Sequence, residues 1–118
     1  MSSGPEAELE AVARVHRALG DPIRLKILRM LPRNPRKQAN LCSVTEISEQ
    51  LGLPQPTVSH HLKVLRHAGI ISFVKKANNV FYYLEFKCVR DAYRDLCDEV
   101  FLRRRTRGGD GVPARAGA

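Results

Sequence analysis

Two short amphipathic segments separated by a tight turn constrain the fold more than any other feature of this sequence. The first segment opens with Ser43 and Glu46, which match a capping box: each side chain accepts a hydrogen bond from the backbone N–H of the other residue. Gly52 is suited to the left-handed conformation that ends a helix. The pattern therefore predicts a helix over residues 44–51, a short turn, and a second helix over residues 55–67, an arrangement known as a helix-turn-helix.

The second of these helices has an apolar back and a polar front. Val58, Leu62 and Leu65 fall on one stripe, while the rest of the segment carries hydrogen-bond donors and cations and no acidic side chain. Such a front is either plain solvated surface or a surface that reads base edges in a major groove. If it reads DNA, the predicted contacts on this helix are Gln55, Thr57, Ser59, His60, His61, Lys63 and Arg66.

A β-hairpin is predicted directly after the second helix. Residues 70–76 and 80–84 are rich in β-branched and aromatic side chains, and Ala77-Asn78-Asn79 between them reads as a turn. A hairpin behind a helix-turn-helix is a wing. Its tip carries Lys75 and Lys76, which we expect to contact the phosphates of the adjacent backbone or minor groove.

Helices are also predicted at both ends of the chain. The first spans residues 6–19, and Asp21 followed by Pro22 starts another that ends near Pro32. A last helix spans residue 87 to about residue 105 and carries an apolar seam at heptad-like spacing. That seam packs either on its own domain or on a second copy of the chain.

The length and charge of the chain fit one small domain with a nucleic-acid partner. The 118 residues carry a net charge of +8, which either binds polyanions or keeps the protein in solution. No apolar run is long enough to span a membrane, so we expect a cytoplasmic protein. The sequence contains no catalytic motif, so we do not expect an enzyme. We expect residues 1–5 to be a flexible lead, residues 6–105 to form the domain, and residues 106–118 to be a disordered basic, glycine-rich tail.

Three segments in this order carry a resemblance to a known family. Ala18–Leu25 (ALGDPIRL), Thr57–Arg66 (TVSHHLKVLR) and Ala68–Ile71 (AGII) resemble the arsenic-repressor (ArsR/SmtB) family of bacterial winged-helix repressors. The resemblance covers about residues 9–103. It implies a mainly α fold with a small β-hairpin, in the order α-α-α-α-β-β-α. It also implies a homodimer that binds a double-stranded DNA operator and leaves it when an inducer binds.

The same resemblance implies that the first and last helices together build the dimer interface. The residues predicted to lie in that interface are Leu9, Val12, Val89, Tyr93, Leu96 and Val100.

The inducer sites of the family are only partly matched by this chain. The arsenic-type cysteine pair is replaced by Ser43 and Thr45, so arsenite lacks its usual thiolates. Of the four positions of the zinc-type site on the last helix, Phe86 and Leu102 cannot ligate a metal, whereas Cys88 and Glu99 can.

Three cysteines without a Cys-x-x-Cys spacing leave the inducer open. One reading makes Cys42, Cys88 and Cys97 ligands for a thiophilic metal or metalloid ion, or targets of a thiol oxidant. The other makes each a buried, idle thiol.

Two rival functions remain open for the whole protein. One is a constitutive DNA-binding regulator that has lost its inducer site. The other is a protein-interaction winged helix, which should have an acidic or apolar front.

Overall fold

The computed structural model describes residues 5–33 and 42–102, which form five α-helices and one hairpin. Their order confirms the predicted winged helix-turn-helix. The elements are α1 (Pro5–Leu19), α2 (Pro22–Met30), α3 (Val44–Leu51), α4 (Gln55–His67), β1 (Ile71–Lys76), β2 (Asn79–Leu84) and α5 (Phe86–Leu96), with a π-helical turn over Cys97–Phe101.

The turn between α3 and α4 forms as its residues predict. The Ser43 hydroxyl accepts the Glu46 backbone N–H at 3.3 Å, and Glu46 accepts the Ser43 backbone N–H at 3.0 Å. Gly52 ends α3 with φ 68°, a conformation that costs glycine little because it has no Cβ. No side chain caps α4, since Pro54 occupies its N-cap position. The Pro54 carbonyl accepts the N–H groups of the first turn instead.

The core lies where α2, α3 and α4 meet. The side chains of Ile27, Ile47, Val58 and Leu65 are fully buried there, and Leu62 is nearly so. The predicted apolar back of α4 is therefore confirmed. Because burying such side chains stabilises the fold by roughly 1.5–3 kcal/mol each, this stripe fixes how α4 is rotated and leaves its polar front outside.

Two strands in antiparallel register build the wing. Phe73 pairs with Tyr82, and Lys76 pairs with Asn79 at the tip, so the turn is Ala77-Asn78 and not the predicted three residues. Ala77 has φ 58°, in the left-handed region that non-glycine residues adopt less readily. The hairpin is held to the rest of the fold at Cys42, whose carbonyl accepts the Tyr82 backbone N–H at 2.9 Å.

The two terminal helices differ in their bounds from the predicted ones. Helix α1 begins at Pro5, which was assigned to the flexible lead; proline is tolerated in a first turn because its missing N–H has no helical partner there. The last helix begins at Phe86 and does not run on as an α-helix. Its α-helical part ends at Leu96, and the π turn follows.

Other predictions fall outside the described residues. These are residues 1–4 of the lead, residues 103–105 of the last helix, the tail 106–118 and most of the loop between α2 and α3. No helix in the described ranges is both long enough and apolar enough to cross a membrane.

Candidate nucleic-acid interface

The exposed front of α4 is the main element of the candidate interface. Six of the seven residues predicted to contact DNA on this helix are exposed: Gln55, Thr57, Ser59, His60, Lys63 and Arg66. They offer hydroxyl, amide, imidazole, ammonium and guanidinium donors with no carboxylate between them. A docked helix with such a front matches the acceptor-rich edges of base pairs and the phosphates beside them.

His61 is the exception, because it lies half-buried on the flank of α4. Its Nδ1 is 3.2 Å from a terminal nitrogen of the Arg24 guanidinium. The same guanidinium donates from Nε to the carbonyl oxygen of Ala18 at 2.7 Å. Arg24 thus links the end of α1 to α4, and His61 is the residue of α4 that it contacts. A DNA contact by His61 stays a prediction, and this geometry does not favour it.

The backbone of Arg24 is also held in place, by the N-cap of α2. Asp21 caps α2 by accepting the N–H groups of Ile23 at 2.8 Å and Arg24 at 3.2 Å. Burial raises the pKa of Asp21, but these two hydrogen bonds and the positive charge of Arg24 outweigh it and hold the pKa below its usual value. The capping carboxylate is therefore ionised at neutral pH and keeps the start of α2 in place.

The wing is tied to α4 by an aromatic contact. The Arg66 guanidinium lies 5.4 Å from the centroid of the Phe73 ring, and Phe73 meets Tyr82 edge-on at 6.2 Å. A cation over an aromatic face contributes about 0.5–1 kcal/mol at exposed sites. Arg66 is therefore already engaged in orienting β1 against α4. This second role was not predicted from the sequence.

The two wing lysines differ in exposure. Lys75 is exposed, whereas Lys76 is half-buried next to the turn. Both lie at the end of the hairpin that points away from the core, as predicted. Their contact with phosphates stays a prediction.

The cysteines are placed at three different points of the fold. The Cys42 thiol donates to the Met30 carbonyl at 3.4 Å, and the Cys88 thiol donates to the Ala68 carbonyl at 3.3 Å. Cys97, which is half-buried, opens the π turn. Within the part of the chain that the structure describes, no three His, Cys, Asp or Glu side chains are grouped to hold a metal ion.

Two of these thiols are poor nucleophiles in this environment. Burial raises the pKa of Cys42, with a smaller contribution from the charge of Glu46. Burial also raises the pKa of Cys88, and the charges of Asp91 and Glu85 add to the effect. Both groups are protonated at neutral pH, whereas metals and oxidants react with the thiolate.

Cys88 has a direct structural connection to the end of α4. Its sulfur lies 3.1 Å from the position that a Cβ on Gly69 would take, and Gly69 itself has φ 82°. Only glycine fits there without a shift of its neighbours. Cys88 therefore packs against the residues that end α4.

The residues predicted to form a dimer interface fall into two groups. Leu9, Tyr93 and Val100 are exposed, and Tyr93 exposes 65% of its surface. Val12 is buried within the chain, and Val89 packs against the chain's own core. Leu96 is half-buried. Further exposed apolar side chains lie on α5 and the π turn: Phe86, Phe101 and Leu102.

The sequence is similar to that of known transcriptional regulators. The family model described as "Bacterial regulatory protein, arsR family" matches residues 21–72. The chain is 40% identical over 91 residues to the uncharacterized HTH-type transcriptional regulator MJ1325 of Methanocaldococcus jannaschii, covering 77% of this chain and 96% of that protein. It is 33% identical over 109 residues to the HTH-type transcriptional regulator KmtR of Mycobacterium tuberculosis, covering 92% and 75%.

The fold is likewise similar to solved structures. The homodimeric winged helix-turn-helix DNA-binding domain of Mb0332 from Mycobacterium bovis superposes with a TM-score of 0.64 at 25% identity, covering 86% of this chain and 91% of that one. The matched segment, residues 21–72, contains α2, α3 and α4 with their caps. Sequence, fold and the polar front of α4 agree, and the chain belongs to the ArsR family of winged-helix transcriptional regulators.

Proposed function

We propose that the protein is a homodimeric repressor that places the front of α4 in the major groove of an operator and rests its wing on flanking phosphates. The observation that carries this proposal is the rotation of α4, whose apolar back is locked into the core while an acid-free donor surface faces outward. Its partner is double-stranded DNA, so its place is the cytoplasm. The protein acts as a binding protein and not as an enzyme.

Dimerisation is supported by the apolar surface that α5 and the π turn leave exposed. Phe86, Tyr93, Phe101 and Leu102 each expose more than half of their surface. Large exposed apolar patches mark interaction sites in small proteins. A two-fold dimer would present two copies of α4 to two half-sites of one operator.

We further propose that a thiophilic metal, a metalloid or a thiol-reactive compound releases the repressor through Cys88 or Cys97. A ligand on the Cys88 sulfur must replace its hydrogen bond to Ala68, which directly follows α4. That contact is a route from the thiol to the recognition helix. The alternative, a constitutive DNA-binding regulator, is favoured by the raised pKa values of the Cys42 and Cys88 thiols.

The inducer is tested by fluorescence anisotropy of the reduced protein on its own upstream DNA. The complex is challenged with arsenite, Zn(II), Ni(II), Cd(II) and a mild thiol oxidant. We expect release by at least one of them, and loss of that release in Cys88→Ser or Cys97→Ser. The Cys88→Ser variant is a sharp test because its hydroxyl can still donate to the Ala68 carbonyl. Tight binding that no compound changes would favour the constitutive regulator.

Lys75→Ala is expected to weaken binding to every DNA sequence alike. Its ammonium is exposed at the tip of the wing, where it neutralises phosphate and reads no base. Each lost phosphate contact lowers the slope of log K against log salt by about 0.9, so a dimer should lose about twice that. The slope is measured by anisotropy between 50 and 200 mM salt, with Lys26→Ala on α2 as a charge-matched control. Loss of sequence discrimination instead would mean that the wing reads bases.

A further inference from the structure

A cleft of about 440 Å³ opens between α1 and α4, and Arg66 is not among its lining residues. Five of its eight lining residues are basic: Arg14, Arg17, Arg24, His60 and His67. The other three are small or apolar, and none is acidic. The three arginine charges in this cleft repel one another, and a bound anion or water relieves that repulsion.

Arg24 is held rigidly at the base of this cleft. Its Nε donates to the Ala18 carbonyl at 2.7 Å, and one terminal nitrogen lies 3.4 Å from the Arg17 carbonyl. The other terminal nitrogen contacts His61 at 3.2 Å. All three partners are carbonyl or imidazole groups. The nearby Asp21 accepts the backbone N–H of Arg24 and not its guanidinium. Among the described residues, no carboxylate forms an ion pair with this guanidinium, although its charge does act on the Asp21 carboxylate.

The two other arginines are poorly neutralised by the protein. The Arg17 guanidinium lies 3.5 Å from the Glu10 carboxylate, but both side chains are more than 60% exposed. Exposed pairs of this kind contribute little, because water screens them. Among the described residues, no ion pair joins a carboxylate to Arg14. The cleft therefore keeps a net positive potential that α1 and α4 share.

We infer that this cleft binds a phosphate-type oxyanion, held by Arg14, Arg17 and Arg24 from one side and by His60 and His67 from α4. Guanidinium groups present paired N–H donors that match two oxygens of one phosphate. The volume admits a phosphorylated small molecule or a stretch of nucleic-acid backbone. The chemistry that both share is the phosphate group, and it bridges α1 to the helix that faces DNA.

Binding of a free phosphate compound to this site needs no DNA, so the inference does not rest on the proposed repressor function. It has one consequence for DNA binding. His60 lies both in the cleft wall and on the exposed front of α4, so an anion in the cleft engages a side chain of the DNA-facing surface.

The test uses the full chain and pyrophosphate, titrated by calorimetry at constant ionic strength. We expect saturable binding that is weakened about tenfold or more in the double variant Arg14→Ala/Arg17→Ala, because two charge-assisted contacts are lost. The matched control is Lys26→Ala/Arg29→Ala, which removes the same charge from exposed positions of α2 outside the cleft. Circular dichroism melting shows that each variant is folded before it is titrated.

A second measurement identifies the source of the phosphate. The affinity of each variant for a duplex without operator sequence is measured against salt concentration. If the cleft holds the DNA backbone, the slope of log K against log salt for Arg14→Ala/Arg17→Ala should be smaller by about 0.9 for each phosphate contact removed. The control variant Lys26→Ala/Arg29→Ala should not show the same decrease. A slope that stays the same while pyrophosphate binds identifies a free phosphorylated compound.

The inference is overturned if pyrophosphate does not bind and the salt slope of Arg14→Ala/Arg17→Ala equals that of the parent chain, since the cleft would then hold only water. Failure of the proposed repressor function looks different. In that case neither the parent chain nor any variant would prefer operator to random duplex, whatever the result with pyrophosphate.

Discussion

The double variant Ser59→Ala/His60→Ala is expected to lose its preference for operator DNA while it stays folded and dimeric. Both side chains are exposed on α4, whereas Val58 and Leu62 are buried in the core. A base-edge contact contributes about 1–3 kcal/mol of discrimination, so the loss of two should lower operator affinity roughly 30-fold or more.

Anisotropy on operator and on a scrambled duplex of equal length measures this effect, and the scrambled duplex is the internal control. Its affinity should change little, because the proposed phosphate contacts of Lys63 and Lys75 are kept, and phosphate contacts dominate non-specific binding. Circular dichroism and size-exclusion chromatography check the fold and the dimer. Operator affinity that survives both substitutions would mean that α4 does not enter the groove by this face.

The helix-turn-helix was predictable because its determinants are local in the chain. The capping box pairs Ser43 with Glu46 three residues apart, and Gly52 ends α3 by its own backbone preference. The buried stripe of α4 follows from helical periodicity alone, since a helix with one apolar face can pack in only one rotation. The wing was predicted in the same way, from two β-rich runs around a turn.

Contacts between elements were not predictable from such patterns. Arg24 and His61 are 37 residues apart and meet only because α1, α2 and α4 pack around one core. The only sequence feature that could have indicated this contact is the position of His61, which lies next to the buried stripe of α4 on a helical wheel. Arg66 was assigned to DNA from its charge, and nothing in the sequence shows that it lies over Phe73.

The last helix shows the limit of periodicity in another way. Its apolar residues repeat as in a continuous helix, so one α-helix was predicted to about residue 105. The structure instead forms a π turn, in which the Leu102 N–H bonds to the Cys97 carbonyl at 2.6 Å, five residues back. A π turn adds one residue to the helical repeat.

Tyr93→Glu is expected to separate the dimer without unfolding the chain. In the single chain this ring exposes 65% of its surface, so the substitution costs the monomer little. In a dimer that buries α5, it removes an aromatic anchor and places an unpaired carboxylate in an apolar interface. Aromatic anchors contribute about 2 kcal/mol or more, and burying an unpaired charge adds to the loss. The dimer dissociation constant should rise about 100-fold or more.

Sedimentation equilibrium measures this change, with Tyr93→Phe as the matched control because it keeps the ring and adds no charge. Operator affinity should fall together with dimerisation, since a monomer offers one copy of α4 where a two-fold site offers two half-sites. A Tyr93→Glu protein that stays dimeric would place the interface elsewhere, with the exposed end of α1 around Leu9 as the next surface to test. A parent chain that is monomeric at micromolar concentration would remove the two-fold dimer from the proposed mechanism, and each α4 would then have to bind DNA alone.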